Sequence, residues 1–77
     1  MERIDCLKKL EKIIQDVLDD ENIVITEQTV ADDIEDWDSL ANVQIVVEMQ
    51  KVFDKKFSAK TILEWKSVSD MIDSVMN

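Results

Sequence analysis

The chain has 77 residues with 18 acids against nine bases, a net charge of −9, and neither glycine, proline nor histidine. A chain this short buries only about 60% of its unfolded surface, so residues 1–77 read as a single domain around one small core, and a 45% apolar content argues against disorder. No base lies between Lys12 and Lys51, and such a negative field repels nucleic acid and anionic membranes while steering basic partner proteins toward itself.

From about Glu2 to Leu18, the residues Ile4, Leu7, Leu10, Ile14, Val17 and Leu18 recur at threes and fours, with Lys8, Lys9, Lys12 and Asp16 outside the stripe; this is a first helix. Met1 to Asp5 lacks the apolar core of a signal peptide, and no run reaches membrane-spanning length. Cys6, the lone cysteine, excludes an intramolecular disulfide, fits a reducing, cytoplasmic setting, and reads as a partly buried helix residue. Asp19-Asp20-Glu21 opposes the helix dipole, and Asn22 is the expected left-handed cap.

Ile23 to Trp37 has no helical period. Ile23, Val24, Ile25, Val30 and Ile34 are spaced to pin a long loop onto the helices, and Ile23-Val24-Ile25, the one strand-like run, has no second strand to pair with. Thr26 with Glu27, and Thr29 with Asp32 and Asp33, offer starts for a helical turn. Asp32, Asp33, Glu35, Asp36 and Asp38 suggest calcium, but an EF-hand loop needs alternating ligands and a Gly at its sharp turn, so no metal site is expected.

Asp38 is the N-cap of a second helix, Ser39 to Phe53, which forms despite Val43, Ile45, Val46, Val47 and Val52 favouring strands. Leu40, Val43 and Val47 line one side, and Ile45, Met49, Val52 and Phe53 follow at helical spacing. Lys55 and Lys56 close it near the negative end of its dipole. Ser58 caps a short third helix, Ala59 to Glu64, anchored by Ile62, Leu63 and Trp65. Ser67 with Asp70 opens a last one, whose Val68, Met71, Ile72, Val75 and Met76 face inward. The fold class is all-α, a small four-helix bundle with a long first loop and a short third helix.

No catalytic set is present. The candidate nucleophile, Ser39, has acids rather than a base beside it, and there is no histidine to activate it. Its position is favourable in another way. A phosphate on the hydroxyl of a first-turn serine sits beside free N–H groups at the positive end of the helix.

Asp38-Ser39-Leu40, followed by Val43, Ile45, Val46, Met49 and Phe53 and then by Phe57, Ile62, Trp65, Ser67-Val68 and Ile72, resembles the acyl carrier protein family. The likeness is close over the last half of the chain, and the first half agrees in length and pattern. It implies a phosphoprotein that is not an enzyme. Ser39 carries 4'-phosphopantetheine, installed from coenzyme A with Mg²⁺ by a phosphopantetheinyl transferase, and Asp38 lies near the transferase's metal. The arm's thiol holds cargo as a thioester for acyl-loading and acyl-transfer enzymes with basic docking patches, in fatty-acid, polyketide or cell-envelope biosynthesis.

By the same resemblance the acyl pocket falls to Val43, Val47, Met49, Phe57, Ile62 and Trp65. Phe57 and Trp65 are large where the family is often aliphatic, which implies a short or poorly sheltered cargo. Partner recognition falls to Asp36, Trp37, Asp38, Leu40 and Glu48. Trp37 either anchors a partner, if exposed, or covers the helix start. Two departures stand out: Asp36 replaces a common glycine, and Ala41, Asn42, Gln44, Gln50, Lys51 and Val52 occupy positions where fatty-acid-type carriers place several acids, which implies a different set of partners. An aminoacyl or peptidyl carrier on the same arm, and a non-covalent acidic adaptor whose Ser39 only opens a helix, are the competing readings. The charge favours a monomer.

Overall fold

Four α-helices and one short 3-10 turn make up the chain, and the computed structural model describes all 77 residues. Helix α1 spans Arg3–Leu18, with Glu2 as its N-cap. Its buried edge is Cys6, Leu10, Ile13 and Ile14, which is rotated from the expected stripe and leaves Ile4 in solvent. The helix ends as Asp19 turns left-handed at φ 53°. With no glycine available, an aspartate takes this conformation, which short polar side chains tolerate better than most. The cap therefore falls on Asp19 and not on Asn22, whose N–H instead donates to Asp20 Oδ1 at 3.0 Å in a local turn.

The long connection from Asp19 to Asp38 is held by hydrogen bonds as well as by apolar contacts. Ile25 is buried, Ile23, Val30 and Ile34 are half-buried, and Val24 points outward. The Ile25 N–H donates to Glu11 Oε2 at 2.9 Å, and Gln15 Nε2 donates to the Ile23 carbonyl at 2.9 Å. Further on, Val68 N–H donates to the Thr29 carbonyl at 2.9 Å and Ser69 N–H to the Glu27 carbonyl at 2.8 Å. Those are first-turn N–H groups of the last helix, which have no partner within it. A 3-10 turn at Ala31–Asp33 forms where Val30 N–H donates to Asp33 Oδ2 at 3.0 Å.

Helix α2 spans Ser39–Val52. It holds its β-branched residues in helical form because Ile45, Val46 and Met49 are buried, and tertiary burial outweighs a propensity deficit of a few tenths of a kcal/mol per residue. Asp54 then turns left-handed. Lys55 Nζ reaches across to the carbonyls of Val75 and Asn77, so this base serves the last helix and Lys51 is the one in the final turn of α2.

Helix α3, Ala59–Glu64, is capped by Ser58, whose Oγ accepts from Thr61 N–H at 3.1 Å. Ile62 and Trp65 are half-buried as anchors, but Leu63 is exposed. Helix α4 spans Val68–Met76, and Asp70 Oδ2 reaches back to accept the N–H groups of Ser67 and Lys66 at 3.2 and 2.8 Å. Its Val68, Met71 and Ile72 are buried, while Met76 is exposed.

Helix α1 packs against both α2 and α4. The core joins its four buried residues to Ile25, Trp37, Ala41, Ile45, Met49, Val68, Met71 and Ile72. Each fully buried aliphatic side chain contributes about 1.5–3 kcal/mol, and no side-chain polar atom is buried without a partner. The base of the molecule is thus α1 with α2 and α4 packed against it, and α2 starts at the end of the pinned loop.

Candidate functional site: the start of helix α2

Two successive turns deliver the chain to Ser39. Trp37 N–H donates to the Ile34 carbonyl at 3.1 Å and Asp38 N–H to the Asp36 carbonyl at 3.1 Å. The Trp37 ring enters the core at 9% exposure, with Nε1 donating to Asn42 Oδ1 at 3.0 Å. It therefore covers the start of the helix from within. A plugged indole on one side and a capped helix on the other leave Ser39 exposed.

Asp38 is the N-cap, and its Oδ1 accepts from Ala41 N–H at 2.8 Å while its carbonyl accepts from Asn42 N–H at 2.9 Å. The N–H groups of Ser39 and Leu40 have no partner within the chain. Two free donors thus stand beside an exposed hydroxyl at the positive end of a 14-residue helix, a setting that fits a phosphodiester. No three His, Cys, Asp or Glu side chains converge in a set that could hold a metal ion. Asp32, Asp33, Glu35 and Asp36 are all exposed on the approach to Ser39.

The six residues expected to form an acyl pocket fall in three places. Met49 lies fully inside the core. Ile62 and Trp65 line a cavity of about 60 Å³ together with Trp37, Asn42, Val68 and Met71. Phe57 meets Trp65 edge-to-face at 5.3 Å and 73°, and Trp65 Nε1 donates to Ser74 Oγ at 2.8 Å. Val43 and Val47 face the other way, into an open groove against α1. Trp37 and Asn42 are cavity walls that the sequence reading missed, and with Gln44 and Gln50 in the same helix nothing in the sequence singled out Asn42.

Of the residues expected to meet partners, Asp36, Asp38 and Leu40 are exposed around Ser39. Glu48 is half-buried and lies 3.6 Å from Lys51. Trp37 is the interior member of the set. Cys6 plays no part here: it is fully buried, and burial pushes its thiol up from the ordinary range.

Residues 8–75 match the family model described as phosphopantetheine attachment site. Among solved structures, the solution NMR structure of holo acyl carrier protein from Geobacter metallireducens is 36% identical, with a TM-score of 0.84 over 91% of this chain and 80% of that one. No curated protein sequence matches. A family match over nearly the whole chain, on a fold superposable on a carrier, means that the chain belongs to the phosphopantetheine attachment family. It is a carrier protein of the acyl-carrier type and not a catalyst, and its cofactor is covalently attached 4'-phosphopantetheine.

Proposed function

We propose that Ser39 is the residue that carries the arm, and that the protein shuttles acyl intermediates between the enzymes of a fatty-acid, polyketide or cell-envelope type pathway. The observation that supports this most directly is the exposed hydroxyl of Ser39 beside the unpartnered N–H groups of Ser39 and Leu40. When attached, the arm supplies a thiol that holds cargo in activated form. The chain's own residues do the rest. Asp38 caps the first turn beside the exposed hydroxyl, the two free donors orient the phosphate, and Trp37, bonded to Asn42 and packed in the core, ties the preceding loop to the helix.

Carriers of this type are served by a phosphopantetheinyl transferase and by biosynthetic enzymes. For this chain we assign their docking to Asp36, Asp38 and Leu40, with Glu48 one side further along α2, and to the exposed acids of residues 32–38 as the field that steers basic patches. From the family resemblance we also assign Asp38 to the neighbourhood of the transferase's Mg²⁺. We assign Phe57, Ile62 and Trp65 to the cargo side of α3. The cavity there is far below the ~300 Å³ of an ordinary ligand site, which supports a short cargo. A cytoplasmic monomer of one domain completes the reading.

The test is the intact mass of the protein after incubation with a phosphopantetheinyl transferase, coenzyme A and Mg²⁺. The wild type is expected to gain the mass of one phosphopantetheine and Ser39→Ala to gain none. Equal gain in both, or none in either, removes Ser39 from the role. The mass of material from the native host then distinguishes an acyl from an aminoacyl cargo.

A further inference from the structure

One side of this acidic molecule carries the opposite sign. An open groove of about 800 Å³ runs between α1 and α2, with a lining that shares no residue with the small cavity at α3. Its α1 wall bears Lys8, Lys9 and Lys12, a third of the bases in the chain. Val43, Val47 and Val52 form the facing wall and are 59, 41 and 47% exposed.

Those valines are costly where they stand. Valine lies a few tenths of a kcal/mol below alanine as a helix former, so three of them on the open side of α2 weaken the helix with only partial burial inside the chain in return. Contact with another molecule would give that return. The charges at the rim indicate which molecule. The groove's two acids are matched within their own helices, Asp16 by Lys12 at 3.1 Å and Glu48 by Lys51 at 3.6 Å. Lys8 and Lys9 have no ion partner, so the unmatched rim charge is positive.

We propose that the α1–α2 groove receives an amphipathic helix of a partner protein, its apolar stripe against the valines and an acidic edge against Lys8 and Lys9. Helix-in-groove docking reads spaced apolar anchors on the guest, and the charged edge fixes its register. The chain then presents two faces of opposite sign, one for basic partners at residues 32–38 and one for an acidic helix, and sorts partners by charge. A concave groove suits a rod better than a flat lipid surface, and a second copy docked face to face would set the unmatched Lys8 and Lys9 against the same lysines. This inference is independent of which serine carries the arm.

The experiment titrates the isotope-labelled full chain with a synthetic helical peptide carrying leucines at i, i+3, i+4 and i+7 and glutamates along one edge, and separately with its lysine-edged counterpart. The glutamate peptide is expected to shift the amide signals of residues 8–17 and 43–52. Its affinity should fall about tenfold or more in Lys8→Gln/Lys9→Gln and in Val47→Gln, and should weaken as salt is raised. All three replacements are of exposed side chains, so unchanged circular dichroism separates lost binding from lost fold. Equal binding of the two peptides in the groove overturns the proposal. So does movement of the same signals by phosphatidylglycerol vesicles, by raised protein concentration alone, or by acyl loading of the arm in place of the glutamate peptide.

Discussion

Asp38 performs at least one task that can be measured apart from any partner. Its carboxylate satisfies the Ala41 N–H at 2.8 Å, and losing such a cap costs about 0.5–2 kcal/mol. Asp38→Ala should therefore melt roughly 4–8 °C lower for each kcal/mol lost, whereas Asp38→Asn, an equally good cap, should stay close to the wild type. Thermal melts of the unmodified proteins check this, and equal melting of Asp38→Ala and wild type would refute the capping role. Caps of this kind were legible in the sequence because they are local: Asp38, Ser58 and the reach of Asp70 back to Ser67 each depend on residues within three positions. The left-handed residue after α1 was not, because Asp19 and Asn22 are both admissible and only the point where the helix stops decides between them.

At the scale of elements, α3 carries the cargo question. It has no fully buried residue, and Trp65 is held against Phe57 and bonded to Ser74, which leaves about 60 Å³ behind it. A long acyl chain on the arm should consequently add little to the melting temperature of the holo protein, since a ligand stabilises only through what it contacts in the folded state. Trp65→Ala should open that space. It is expected to cost the unloaded protein about 1–3 kcal/mol, less than the ~3–5 of a fully buried aromatic, and then to gain stability on long-chain loading. A large gain in the wild type would contradict a small cargo space. The sequence placed the ends of α3 correctly, yet it counted Leu63 as an anchor. Six residues are less than two turns, too few for a period to show which side faces in, and the answer came from how α3 sits against the rest of the fold. The expected acyl pocket scattered for a related reason: residues sharing one helix, such as Val43 and Met49, sit on different sides of α2.

Across the whole molecule, Arg3 joins three parts that are far apart in sequence. Its Nη2 donates to Glu27 Oε1 at 2.5 Å and its Nη1 to Asp73 Oδ1 at 2.6 Å, tying α1 to the long loop and to α4. The hydrogen bond from Arg3, helped by its charge, holds the Glu27 carboxyl below the usual range, and the two carboxylates raise the guanidinium above its own. A carboxyl depressed on folding contributes stability that is present above the ordinary glutamate range and lost as pH falls through its lowered folded value. Arg3→Met should therefore be less stable than wild type at neutral pH and lose less on acidification. Melting followed from neutral pH through the carboxylate range tests this, and parallel curves for the two proteins would exclude the link. None of this network was visible in the sequence, because an arginine at position 3 gives no sign of which distant acids it will meet.

The two indoles have a practical consequence. The chain has two tryptophans and no tyrosine, so its near-ultraviolet emission arises almost entirely from one ring just upstream of Ser39 and one at the end of α3, both bordering the same small void. The protein is in effect labelled already for optical work, and any change in the surroundings of that void can be followed by fluorescence without adding a dye.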